Sequence, residues 1–200
     1  MKKISTREIT QIAILGTVSA ILLFVNFPLL FVAPSFYKFD ISDVAGLIGG
    51  FALGPVSAIY IQIIKFIINI IIEGGSETMF VGETASLIMS LAFILPASII
   101  YKRNRTRKGA VVSLIVGSLS MVLVSMFANY FLIIPAYQKF MGIPLDAIIE
   151  AGSKVIPLVS SKLSLILLCV LPFNAIKAVL CSILTFLLYK RISPLLVKNR

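Results

Sequence analysis

Asp43-Val-Ala-Gly-Leu-Ile-Gly-Gly-Phe-Ala-Leu-Gly54-Pro55-Val-Ser-Ala-Ile-Tyr-Ile-Gln-Ile-Ile-Lys65-Phe-Ile-Ile-Asn69-Ile-Ile-Ile72 is long and apolar enough to be read as one membrane span or two. The Gly54-Pro55 pair decides between them. Proline removes a backbone donor and biases the residue before it away from the helix, so it ends one helix and opens the next. A single helix here would put the basic stretch Lys102–Lys108 on the opposite side of the membrane from the basic N-terminus, against the positive-inside tendency. A break at Gly54-Pro55 puts every basic cluster on one side.

The rest of the chain carries the same message. Of its 200 residues 59% are hydrophobic, and a mean hydropathy of +1.07 lies far outside the range of water-soluble domains. The expected fold is an all-α integral membrane protein, one membrane domain over residues 1–200, with six transmembrane helices at roughly 9–25, 43–53, 55–72, 80–101, 110–135 and 163–189. Both termini are expected in the cytoplasm, and the location is the cell (cytoplasmic) membrane, crossed several times. The segment behind Lys2, Lys3 and Arg7 shows no small-residue cleavage pattern, so it reads as a retained first helix.

The net charge of +10 does not point to nucleic acid. Twelve of the eighteen Lys and Arg residues sit in three groups flanking apolar segments, at the N-terminus, at Lys102–Lys108 and at Lys190–Arg200, which is a topology signal. Absence of histidine removes His-based acid–base chemistry, Ser-His-Asp triads and the usual zinc sites. No catalytic residue and no metal site is expected. Cys169 and Cys181, about 18 Å apart along one helix by the rise per residue, cannot bridge.

Two features mark a binding site. Ile41–Gly54 rises only about 21 Å, too short for a hydrocarbon core of about 30 Å. Either the preceding loop dips inward or the short helix leaves a cavity. That loop, Asn26–Ser42, carries Phe27, Phe31, Phe36, Tyr37 and Phe39, more aromatics than a solvated loop holds, and reads as a lid over a planar ligand.

Polar residues inside the spans are the second feature. Asn174 and Lys177 share a helix face, as do Lys65 and Asn69, and an intramembrane lysine is a functional-site hypothesis by default. Lys177 can either face a ligand or pair with a neighbouring helix. Glu73 or Glu77 can pair with the Lys65–Asn69 face, and Glu83 can complement the first turn of its helix. Asn69, Glu83, Asn129 and Asn174 come from four helices and converge in the proposed topology. Pro144–Glu150 has the pattern of a short surface helix whose Asp146 and Glu150 are solvated. In the first helix Ala13, Gly16, Thr17 and Ala20 form small-xxx-small patterns, which serve a partner helix or intrachain packing equally.

Lys38-Phe39-Asp40-Ile-Ser-Asp43 leading to Gly49-Gly50-Phe-Ala-Leu-Gly54-Pro55, then Gly82-Glu83, Asn129-Tyr130-Phe131, Pro144-Leu145-Asp146 and Pro172-Phe173-Asn174-Ala-Ile-Lys177, resemble in this order the riboflavin-binding S components of energy-coupling factor (ECF) transporters. The resemblance spans nearly the whole chain. It implies six helices, riboflavin bound near the outer surface, and no ATPase or other enzyme activity in the chain itself. Uptake would require a transmembrane T component and two ATP-binding subunits. Asn129, Asn174 and Lys177 would hydrogen-bond the flavin, and Lys38, Phe39, Asp40, Glu83 and Tyr130 would complete the ligand-contacting set. Ala13, Gly16, Thr17 and Ala20 would meet the T component, with Gly16 a departure from the family's alanine. Riboflavin would be cargo rather than cofactor, with flavin mononucleotide (FMN) left open as a second ligand.

The residues agree with such a ligand. Riboflavin is uncharged and planar with a hydrogen-bonding edge, which suits apolar walls and convergent amides; Lys177 would oppose a cationic vitamin such as thiamine. An S component for another vitamin is the nearest alternative. A membrane enzyme using Glu83 and Lys177, or a secondary transporter coupled through Lys65 or Lys177, is further off. The chain has no phosphate-binding Gly-x-x-x-x-Gly-Lys-Ser/Thr loop and no internal repeat of the secondary-transporter kind.

Overall fold

The computed structural model describes residues 5–76 and 78–197. It is a helical bundle in chain order: α1 (Thr6–Phe24), a two-stranded ribbon of β1 (Phe27–Pro28) and β2 (Lys38–Phe39), α2 (Asp43–Leu53), α3 (Pro55–Ile72), α4 (Val81–Arg103), α5 (Arg107–Met141), α6 (Leu145–Ser153) and α7, which begins at Lys162 and runs to Val197. Five helices, α1, α3, α4, α5 and α7, are long and apolar enough to cross a membrane; α2 is apolar but has only 11 residues.

The break at Gly54-Pro55 is real. Gly54 sits at φ 110°, a backbone region that L side chains avoid, and Pro55 opens α3. α2 and α3 therefore fold back on each other. The expected boundaries of both coincide with those observed, while α4, α5 and α7 extend past their expected ends.

α2 is the hub. Every residue from Asp43 to Ala52 is buried, and the helix packs against α1, α3, α4 and α7. A Cβ at Gly46 would lie 2.2 Å from Gln62 Nε2, and one at Gly50 would lie 2.0 Å from Ser98 Oγ. Only bare backbone lets four helices close around so short a segment.

α3 is amphipathic in the inverted sense of a membrane helix. Ile61, Lys65 and Asn69, four residues apart, are buried, while Ile63, Ile67 and Ile71 form an exposed row. The apolar face meets lipid and the polar face turns inward.

The connections at residues 25–42, 73–80 and 142–161 lie at one end of the bundle, the loop end. The α4–α5 turn, the start of α1 and the end of α7 lie at the other, the basic end. The first loop does dip into the fold, with Leu29, Val32, Ala33 and Phe39 buried in a cluster with Ile148, Val159 and the start of α7. At the basic end Phe51 stacks on Tyr101 with ring centres 4.2 Å apart, and Tyr189 meets both edge-on and hydrogen-bonds the Tyr101 hydroxyl.

The small-residue stripe of α1 is divided between two faces of the helix. Gly16 and Ala20 are buried, and a Cβ at Gly16 would come within 2.5 Å of Ile64 Cγ2 of α3. They serve packing within the chain. Ala13 and Thr17, on the adjacent face, are exposed.

Candidate functional site

A cavity of about 260 Å³ opens above the start of α2 at the loop end. Its walls come from the first loop, α3, the α3–α4 connection, α4, α5 and α7. Asn69, Glu83, Asn129 and Asn174 all line it, so the convergence expected from four helices is met in space.

Beneath the cavity lies a buried ionic quartet. Lys177 Nζ donates to Asp40 Oδ2 at 2.7 Å and lies 3.6 Å from Asp43 Oδ2. Lys65 Nζ donates to Asp43 Oδ1 at 3.1 Å, to Ser90 Oγ at 2.9 Å and to Ser42 Oγ at 3.2 Å. Two carboxylates and two ammoniums balance, which makes burial inside apolar helices tolerable. The three donors of Lys65 are used up within the protein. Lys177 combines both of its expected roles, since it pairs with neighbouring segments and still lines the cavity. Asp40 also accepts from Ser42 N at 2.9 Å and Ser42 Oγ at 2.5 Å, so its carboxylate positions Lys177 from the cavity wall.

The asparagines are fixed by their own helices. A π-helical turn at Asn129–Ile133 interrupts α5, and another at Ile166–Val170 interrupts α7; such turns recur where side chains are presented to a site. Asn129 Nδ2 donates to Ser125 O at 2.8 Å and Asn174 Nδ2 to Val170 O at 2.9 Å. Asn129 Oδ1 accepts from the Tyr37 hydroxyl at 2.9 Å. Burial raises the Tyr37 phenol above its ordinary pKa, so it remains a donor. Its ring also packs on Phe173, centres 5.5 Å apart.

Two expected ligand contacts do not line the cavity. Phe39 alternates with Lys38 and Asp40 along an extended strand, so those two face the cavity while Phe39 turns the other way. It is 4% exposed and lies against Phe27 at 5.3 Å between ring centres. Tyr130 follows Asn129 on a helical path and so faces away from it; its ring is exposed under the Lys162 ammonium, 4.4 Å from the ring centre. The aromatic lid is also narrower than expected. Of the five loop aromatics only Phe36 and Tyr37 line the cavity, and Phe31 is 76% exposed.

The α3–α4 connection supplies one wall residue that the sequence did not mark, Thr78. Met79 and Phe80 sit at φ 50° and 65°, a strained region for such residues. Ser76 Oγ accepts from Phe80 N at 2.6 Å, and Thr78 Oγ1 accepts from Gly82 N at 2.9 Å and donates to Glu83 Oε2 at 2.7 Å. This turn presents Thr78 and Glu83 to the cavity. Glu73, also on the wall, accepts from Asn69 Nδ2 at 3.0 Å. Glu77 lies outside the described residues. Asp146 and Glu150 are solvent-exposed on α6, away from the cavity, and Glu150 pairs with Lys154.

The family model for the substrate-specific component of ECF transporters matches residues 7–189. The chain belongs to the S components of ECF transporters. It is 31% identical over 190 residues to the riboflavin transporter RibU of Staphylococcus aureus (strain TCH60), covering 95% of this chain and 92% of that one. It is 29% identical over 194 residues to the riboflavin transporter FmnP of Bacillus subtilis (strain 168), covering 97% and 96%. A solved S component of a bacterial ECF transporter superposes with a TM-score of 0.72 at 28% identity, over 94% of this chain and 96% of that one. These named relatives are transporters, not enzymes. For this S component the Glu83–Lys177 acid–base reading has no geometric support either, since Lys177 is held by Asp40.

Proposed function

We propose that this S component binds riboflavin and delivers it for ATP-driven uptake by an ECF transporter. The observation that carries the reading is the cavity itself. Asn69, Asn129 and Asn174 offer amides beside the rings of Phe36, Tyr37 and Phe173, with the charge of Lys177 neutralised from behind. An uncharged planar molecule with a hydrogen-bonding edge fits that combination. The full-length similarity to proteins named riboflavin transporters supports it. Riboflavin is cargo in this reading and the chain holds no cofactor.

The proposed topology has six spans in the cell membrane. α2 crosses only with the help of the buried first loop, and both termini are cytoplasmic in this reading, which the distribution of Lys and Arg supports. The partners are a T component and two ATP-binding subunits. With Gly16 and Ala20 occupied inside the chain, Ala13 and Thr17 are the members of the α1 stripe left to meet the T component.

Titration of riboflavin fluorescence with purified protein in detergent tests the ligand. Saturable one-to-one quenching is expected, and its absence in folded protein would overturn the assignment.

A further inference from the structure

α5 and α7 cross with small side chains between them. Ser118 and Ser182 meet at the crossing, their hydroxyl oxygens 3.1 Å apart, and so pair with one another in apolar surroundings. Larger side chains stand on either side. Val111, Ile115 and Leu119 form an exposed row on α5, and Val179, Ile183 and Leu187 form another on α7. Between the rows runs a groove of about 410 Å³ with the two half-buried serines at its floor.

Each row runs on into an arginine. Arg107 precedes Val111 by four residues and Arg191 follows Leu187 by four, the spacing that keeps helical residues on one face. Lys190 follows Phe186, which also lines the groove, in the same way. All three cations are exposed, and none is in an ion pair among the described residues. Because α5 starts and α7 ends at the basic end, they stand together at one mouth of the groove. Topology asks for cations at this end, but not for their alignment with a groove. Each row rises about 12 Å, close to the depth of one leaflet, which is about half of a 30 Å hydrocarbon core.

We propose that this groove binds one anionic phospholipid, with an acyl chain between the rows and the phosphate against Arg107, Lys190 and Arg191. Lipid chains cover any apolar face in a bilayer, so the rows alone would accept any lipid. The selection comes from the mouth, since a basic pocket between membrane helices recruits anionic headgroups and guanidinium forks match phosphate oxygens. A zwitterionic headgroup carries its own ammonium and gains less. The groove lies between α5 and α7 toward the basic end, and its lipid does not depend on what the loop-end cavity holds.

The chain has no tryptophan, so Leu119→Trp, at the inner end of the groove, reports lipid contact there. Ile67→Trp, on the exposed row of α3, is the control. Each is reconstituted in phosphatidylcholine bilayers with rising fractions of brominated phosphatidylglycerol or brominated phosphatidylcholine, which quench tryptophan on contact. Phosphatidylglycerol is expected to be preferred about fivefold or more at Leu119→Trp in low salt, and about equally with phosphatidylcholine at Ile67→Trp. High salt should shrink the preference without any change to the cations. Adding Arg107→Gln/Lys190→Gln/Arg191→Gln to the groove reporter should bring the ratio to about one. Ser118→Leu/Ser182→Leu fills the floor and removes both hydroxyls together, so that neither is stranded, and should lower the ratio with the cations in place. Equal ratios at the two reporters, or a preference that survives loss of the cations in protein with an unchanged melting temperature, overturn the proposal. A preference lost with the cations but kept when the floor is filled reflects diffuse surface attraction and overturns the site. A Leu119→Trp reporter quenched by neither lipid, beside a quenched Ile67→Trp, means that a second copy of the chain covers the groove, and overturns it as well.

Discussion

The two ends of α2 are built on opposite principles. At the loop end Asp43 ties together two buried lysines under an open polar cavity. Eight residues later, at the basic end, Phe51 is sealed between Tyr101 and Tyr189. A chain that must hold a polar molecule on one side without opening a path to the other needs both. Charges in the bilayer are costly unless paired, so the loop end spends its polar groups on one another and presents amides to the cavity. The aromatic end buries no charged side chain among the described residues; stacking and one hydroxyl pair close it.

The comparison can be broken most forcefully at Asp43. Replacing it by Ala leaves Lys65 buried without a carboxylate and Lys177 with only Asp40, and should destabilise the fold by about 3–5 kcal/mol. Thermal unfolding in detergent measures it, and a melting temperature equal to wild type would show that the quartet is not what holds this end. Asn174→Ala comes next. It should leave the melting temperature nearly unchanged and weaken riboflavin binding about tenfold, by removing one buried hydrogen-bonding amide from the wall. Equilibrium titration of folded variant checks this, and wild-type affinity would remove Asn174 from the site.

The smallest effect belongs to the aromatic end. Tyr189→Phe keeps the ring contacts and removes the hydroxyl bonded to Tyr101, so stability should fall by about 1 kcal/mol with the riboflavin Kd unchanged. A shifted Kd would sharpen the comparison differently, since it would mean that α2 transmits strain from its closed end to its open one.

Much of this architecture was legible before any coordinates. Gly54-Pro55 marks a chain reversal from local backbone chemistry, and α2 and α3 take the expected bounds. Polar residues inside spans are rare enough that Asn69, Glu83, Asn129 and Asn174, from four helices at similar depth in the proposed topology, point to a shared cavity. The differences have equally local causes. The resemblance groups Lys38, Phe39 and Asp40 as contacts, whereas an extended strand sends alternate side chains to opposite sides and only Lys38 and Asp40 line the cavity. It groups Tyr130 with its neighbour Asn129, whereas consecutive helical residues do not share a face and Tyr130 is not on the cavity wall.

By itself, then, the sequence determined the membrane environment, the reversal at Gly54, and which side chains were too polar to face lipid. Those follow from hydrophobicity, backbone sterics and helical period, which act over a few residues. Tertiary structure alone decided how those polar groups were shared. Lys65 meets Asp43 across 22 residues and Lys177 meets Asp40 across 137, distances in sequence over which any of several carboxylates would have been an equal candidate. It also decided that Gly16 faces Ile64 within the chain, because a small side chain permits close approach but does not specify which helix makes it.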